Sequence, residues 1–113
     1  MNDEFVKGLY SSIVEEGTST YKYLFDTTKV TGKITEYWKN ALLFYHSQTD
    51  SEKEIFFAII KQVIVDSVSS VLGVLDGTSN LDGADLTFEV LINGENTNDE
   101  LQDTFLGYIE DNM

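Results

Sequence analysis

SEKEIFFAIIKQVIVDSVSSVLGVL, residues 51–75, reads as one long helix around which the other segments must arrange themselves. From Ile55 to Leu75, fourteen of twenty-one residues are apolar. Ser51 and Glu54 form an S-x-x-E capping box ahead of the run, and Glu52 and Glu54 sit in the first turn, where the helix dipole favours negative charge. On a helical wheel, Gln62, Asp66, Ser69, Ser70 and Gly73 share one arc of about 100°. That polar stripe is expected to be the only face that meets water or a close neighbour, and the rest of the helix is expected to be core. A membrane span is long enough at about twenty apolar residues. Lys61, Gln62 and Asp66 stand mid-run, however, and a Lys or Asp there costs roughly 2.5–3.5 kcal/mol on insertion scales. The helix should be about 37 Å long, against about 34 Å for the diameter of a compact chain of this size. It is therefore expected to run through the whole domain, with Gly73 and Gly77 as candidate stops.

Working outward toward the N-terminus, Phe5, Leu9 and Ile13, with Val6, Tyr10 and Val14 beside them, recur at helical spacing. The pattern weakens at Gly17-Thr18-Ser19 and resumes at Tyr21, Leu24 and Phe25, so residues 3–27 read as one kinked helix or two. Ile34, Tyr37, Trp38, Ala41, Leu42 and Tyr45 mark a further helix ending near His46. Short connections make these helices antiparallel neighbours of the central one. Tyr37 and Phe44, seven apart, share a stripe distinct from Trp38, Leu42 and Tyr45, and an exposed aromatic stripe beside acids has the make-up of a protein-binding hot spot.

Toward the C-terminus the period changes. Residues 76–85, rich in Gly, Asp and Ser, read as loop. Leu86, Phe88, Val90 and Ile92 alternate with Thr87, Glu89 and Leu91 as in a half-buried strand, and Asn93-Gly94 favours a type I′ turn. Thr97 and Glu100 repeat the capping-box pattern ahead of Leu101, Phe105, Tyr108 and Ile109. The expected fold is mainly α (α+β). It is a single domain over 1–113: a small helical bundle around one long central helix (about 51–75), a short β-hairpin or strand (about 86–97) and a final helix (about 98–110).

Charge carries the functional reading. The net charge is −13, and all seven Lys lie at or before Lys61. Residues 1–61 hold nine acids against those seven Lys, whereas residues 62–113 hold eleven acids and no Lys. Direct nucleic-acid binding is therefore excluded, because it runs on basic groups neutralising phosphates. A basic protein partner is expected instead. It would be engaged through Asp82, Asp85, Glu89, Glu95, Asp99, Glu100 and Asp103, with Tyr37 and Phe44 as aromatic anchors. In size and charge the chain resembles the small acidic helical immunity proteins of bacteriocins and toxins, without a motif that carries residues across from them.

Catalysis, a cofactor and a metal are not expected. There is no Cys, a single His (His46) at a helix end, and no nucleophile elbow, phosphate loop or H-E-x-x-H. Thr78 to Glu89 overlays an EF-hand loop at Asn80, Asp82, Gly83 and Glu89, but Thr78 stands where Asp is required and a strand follows where a helix is needed. A looser divalent site would use Asp76, Asp82 and Asp85. The sequence thus points to a cytoplasmic, non-enzymatic acidic binding module of inhibitor or immunity type, with no membrane partner. The alternatives are a structural protein that homodimerises through apolar helix surface, and a DNA mimic that inhibits a nucleic-acid-binding protein.

Overall fold

In the computed structural model, which describes residues 1–113, the chain runs α1 (Asn2–Leu9), a π-helical segment (Tyr10–Glu15), α2 (Glu16–Thr27), α3 (Glu36–His46), α4 (Asp50–Asp76), β1 (Leu91–Ile92), β2 (Glu95–Asn96) and α5 (Leu101–Asn112). The fold is mainly α with one small antiparallel hairpin, as the residue patterns require.

The ends of α4 follow from local chemistry. Its capping box is Thr49–Glu52, two residues before the Ser51–Glu54 pair expected from the sequence. The Glu52 N–H donates to the Thr49 hydroxyl at 3.2 Å, and the Thr49 N–H donates to Glu52 Oε1 at 2.8 Å. Those Thr49 donors hold the Glu52 carboxyl below the usual carboxylate range. Gly73 does not stop the helix. Gly77 does, taking φ +82 just past the last turn. The Thr78 N–H then reaches the Gly73 carbonyl and the Gly77 N–H the Val74 carbonyl, the paired closure of a Schellman motif.

Residues 2–27 form one continuous helical run, and its irregularity is the π segment at 10–15, earlier than the Gly17–Ser19 stretch that breaks the sequence pattern. A π turn offsets the angular drift of residues spaced four apart. Val6, Tyr10 and Val14 therefore stay on one buried line.

Two separate cores form along α4. One gathers Val6, Tyr10, Val14, Val65, Leu72, Leu101 and Phe105 from α1, the π segment, the C-terminal half of α4, and α5. The other gathers Phe25, Leu42, Tyr45 and Phe57 from α2, α3 and the N-terminal half of α4. Phe25 is its hub, with Trp38, Tyr45, Phe56 and Phe57 all within 5.9 Å between ring centroids.

This arrangement overturns the expectation that everything but the polar stripe of α4 is core. Ile55, Ile59, Val63 and Val71 are 57–61% exposed. Ser69, Gly73 and Asp76 are buried instead, against α5. The α5 residue Gln102 explains the inversion. Its amide donates to the Ser69 carbonyl at 3.0 Å, its Oε1 accepts from Thr78 Oγ1 at 2.9 Å, and its backbone N–H donates to Asp76 Oδ2 at 2.7 Å. Asp76 thereby caps α5 from across the fold. The Thr97–Glu100 box does not form: Asn98 and Asp99 turn through left-handed conformations, and α5 begins without a side-chain cap of its own. The polar stripe thus satisfies a neighbouring helix, and too little chain remains to wrap the apolar side. The radius of gyration, 17.6 Å, exceeds the roughly 13 Å of a compact chain of this length.

Candidate interaction surfaces

The two cores define two lobes of opposite electrostatic character. Residues 16–61, which build the α2–α3 lobe, carry six acids (Glu16, Asp26, Glu36, Asp50, Glu52, Glu54) and six Lys (22, 29, 33, 39, 53, 61), a net charge of zero. The whole −13 therefore falls on residues 1–15 and 62–113, the lobe of α1, α5 and the hairpin.

On the neutral lobe, Ile55, Ile59 and Val63 recur every four residues along the outer flank of α4. Ile59 and Val63 line a groove of about 330 Å³ with Tyr21 from α2 and Tyr37 from α3, its lining entirely apolar, and Ile55 stands exposed one turn before Ile59. Tyr37 is 65% exposed and Phe44 51%. Tyr37 lies on the groove, while Phe44 leans on Phe56 at 6.0 Å between centroids, so the two do not line one surface in the same way.

On the acidic lobe, Asp82, Asp85, Glu89, Glu95, Asp99, Glu100 and Asp103 are all exposed. The hairpin register, Leu91 with Asn96 and Ile92 with Glu95, sets Glu95 opposite β1, and Glu89 just before it accepts from Asn96 Nδ2 at 3.3 Å. Asp99, Glu100 and Asp103 belong to the turn into α5 and its first turn, a separate group. Only part of the alternating stretch 86–92 pairs as a strand. The Val90 carbonyl accepts from the Thr97 N–H, but from Asp85 to Glu89 the backbone makes no hydrogen bond. Leu86 and Phe88 project from this bare segment at 60% and 40% exposure, and Leu91 of β1 is 53% exposed.

Asp76 is turned into the junction of α4 and α5 and does not join Asp82 and Asp85. No three His, Asp or Glu side chains gather around a point where a cation could sit.

The cleft richest in charge lies elsewhere, a space of about 500 Å³ lined by Lys22, Asp26, Tyr45, Asp50, Lys53, Glu54 and Phe57. The Tyr45 hydroxyl donates to Asp26 Oδ1, and Lys53 Nζ stands 4.8 Å from the Tyr45 ring centroid. Burial, then the bond to Asp26, pushes the Tyr45 hydroxyl up to about 12. The bond ties α2 to α3.

The expected acids and both aromatics lie exposed, and the exposed α4 flank, Leu86 and Phe88 were not anticipated. The signal was available: α4 has more apolar circumference than four short neighbours can cover. No protein-family model, curated protein or solved structure matches the chain.

Proposed function

We propose that the chain is a non-enzymatic protein-binding module of inhibitor or immunity type, acting in the cytoplasm, whose acidic lobe engages a basic protein surface. One observation supports this reading above the others. Leu86 and Phe88 stand exposed on a segment with an unpaired backbone, next to the exposed Leu91 of β1 and amid Asp82, Asp85, Glu89 and Glu95, in a half of the chain without a single Lys. Apolar anchors within a charged rim are the anatomy of a recognition surface: the anchors supply affinity, and the rim speeds association and selects the partner. A bare extended segment also invites a partner strand. The matching surface carries Lys or Arg around an apolar or strand-forming centre. Anionic lipid surfaces repel this lobe, as phosphate backbones do.

The test starts with affinity capture from the native host at low salt, followed by reconstitution with the purified candidate. A basic protein should bind, and its affinity should fall steeply as salt screens the rim, since screening acts within about 8–10 Å at physiological ionic strength. The double variant Glu89→Lys/Glu95→Lys should slow association about ten- to a hundredfold while keeping the wild-type circular dichroism. Capture of no basic protein at low salt, or binding indifferent to the double reversal, would sink the proposal.

A further inference from the structure

We infer that the bare flank of α4 on the neutral lobe is the contact face of a homodimer, with two copies packing α4 against α4 across a two-fold axis. This inference goes beyond the acidic-lobe reading and does not depend on it.

The face is self-complementary. In an antiparallel pair Ile55 of one copy meets Val63 of the other, and Ile59 meets its own counterpart at the axis. Residues spaced by four form the ridges that interlock at a crossing angle of about −50°. Such a crossing also suits the charges at the ends of the stripe. Glu52 and Asp66 would face each other if the two antiparallel helices were aligned, and an oblique crossing swings them apart. The exposed Tyr37 of each copy stands at the mouth of the groove, where a ring of the facing copy can enter.

Charge selects a second copy over other occupants. Two chains at −13 repel each other everywhere except through the one lobe whose acids and Lys cancel. A basic partner gains nothing there. A lipid surface is ill suited as well, because interfacial helices border their apolar face with Lys or Arg, whereas Gln62 and Asp66 border this one. Size agrees too. Ile55, Ile59, Val63, Tyr21 and Tyr37 together expose roughly 600 Å², scaling from 150–250 Å² for a whole aromatic side chain. Their immediate neighbours bring this to about the 800 Å² per partner of a standard interface. The outcome is a dimer with its two acidic lobes held at opposite ends.

Sedimentation equilibrium of the full chain tests this across the micromolar range. The wild type should sediment at twice 12.7 kDa. Ile59→Glu, at an exposed site, should raise the dissociation constant by about a hundredfold or more while the monomer keeps its helical circular dichroism. Val71→Glu, equally exposed but two turns beyond Val63 and lining a different groove with Phe5 and Leu9, should remain dimeric. A wild type that is monomeric at every concentration would overturn the inference, as would a dimer that survives Ile59→Glu or one that Val71→Glu dissolves. Monomeric wild type that binds phosphatidylcholine vesicles would overturn it in favour of a lipid surface. Because none of these variants touches the acidic rim, partner capture by the acidic lobe stands or falls separately.

Discussion

The two halves of α4 show the same helix solving opposite problems. The C-terminal half buries a small and polar stripe alongside Val65 and Leu72: Ser69, Gly73 and Asp76 disappear beneath Gln102 of α5. The N-terminal half presents Ile and Val, and leaves three of them in water. Hydrophobicity alone would assign these faces the other way round. What decides is hydrogen-bond supply. The N-terminus of α5 has no cap of its own and needs an acceptor, which Asp76 provides, while buried backbone donors left unpaired would cost about 1–3 kcal/mol each. The apolar flank has no such local claim on a neighbour. It stays open because α2 and α3 pack against the Phe56, Phe57 and Ile60 side of α4, around the Phe25 cluster.

If the lobes are as separate as their cores suggest, truncating one core should leave the other standing. Phe105→Ala, in the acidic-lobe core, should cost about 3–5 kcal/mol, and Phe25→Ala a similar amount from the aromatic hub. The discriminating readout is hydrogen exchange. Phe25→Ala should speed exchange in α2 and α3 while α5 keeps its protection. Uniform loss across both lobes would show that α4 couples them into one cooperative unit.

A second contrast is electrostatic. Tyr45 holds its proton more firmly in the folded state than in the unfolded, where it titrates near 10. Its contribution is therefore fully present below pH 10 and is lost as pH rises toward about 12. Over that window the neutral lobe should lose about 2–3 kcal/mol. Denaturant unfolding of wild type against Tyr45→Phe measures it. The difference between the two should shrink as pH climbs from 9 to 12, and a constant difference would remove Asp26–Tyr45 as the tie between α2 and α3.

The smallest effect concerns the buried stripe. A Cβ at Gly73 would lie 2.7 Å from Gln102 Nε2, an amide pinned by its bonds to Ser69 and Thr78. Gly73→Ala should gain nearly 1 kcal/mol of helix propensity and still destabilise by about 1–2 kcal/mol net, as the displaced amide loses its partners. A neutral or stabilising result would mean that Gln102 moves freely and does not join α4 to α5.

Much of this architecture is legible in the residues, and the failures have physical causes. Periodicity located every helix to within a few residues, and Asn93-Gly94 fixed the hairpin turn, with φ of +52 and +84. The α4 cap slipped by two because Thr49-x-x-Glu52 and Ser51-x-x-Glu54 satisfy the same pattern, and only the backbone direction at Thr49 chooses between them. The Thr97–Glu100 box failed because a residue 26 positions upstream of Gln102 supplies the acceptor, which no local pattern encodes. The strand at 86–92 has the right alternation, but alternation states only that one face is apolar. It cannot say whether another strand arrives, and here the ladder is two residues long. The acids of the candidate site were fully legible, since charge is read directly. The open α4 flank was not, because burial depends on how much chain is left to cover it.

The division of α4 into a half that self-associates and a half that carries the acidic lobe is tested most directly by repeating sedimentation equilibrium at low and high salt. A dimer formed through the neutral lobe should keep its dissociation constant within about threefold, because little net charge crosses that interface and exposed charges are all that salt screens. Self-association that appears only at high salt, once the acidic lobes no longer repel, would contradict the account and place the contact on the wrong half of the helix.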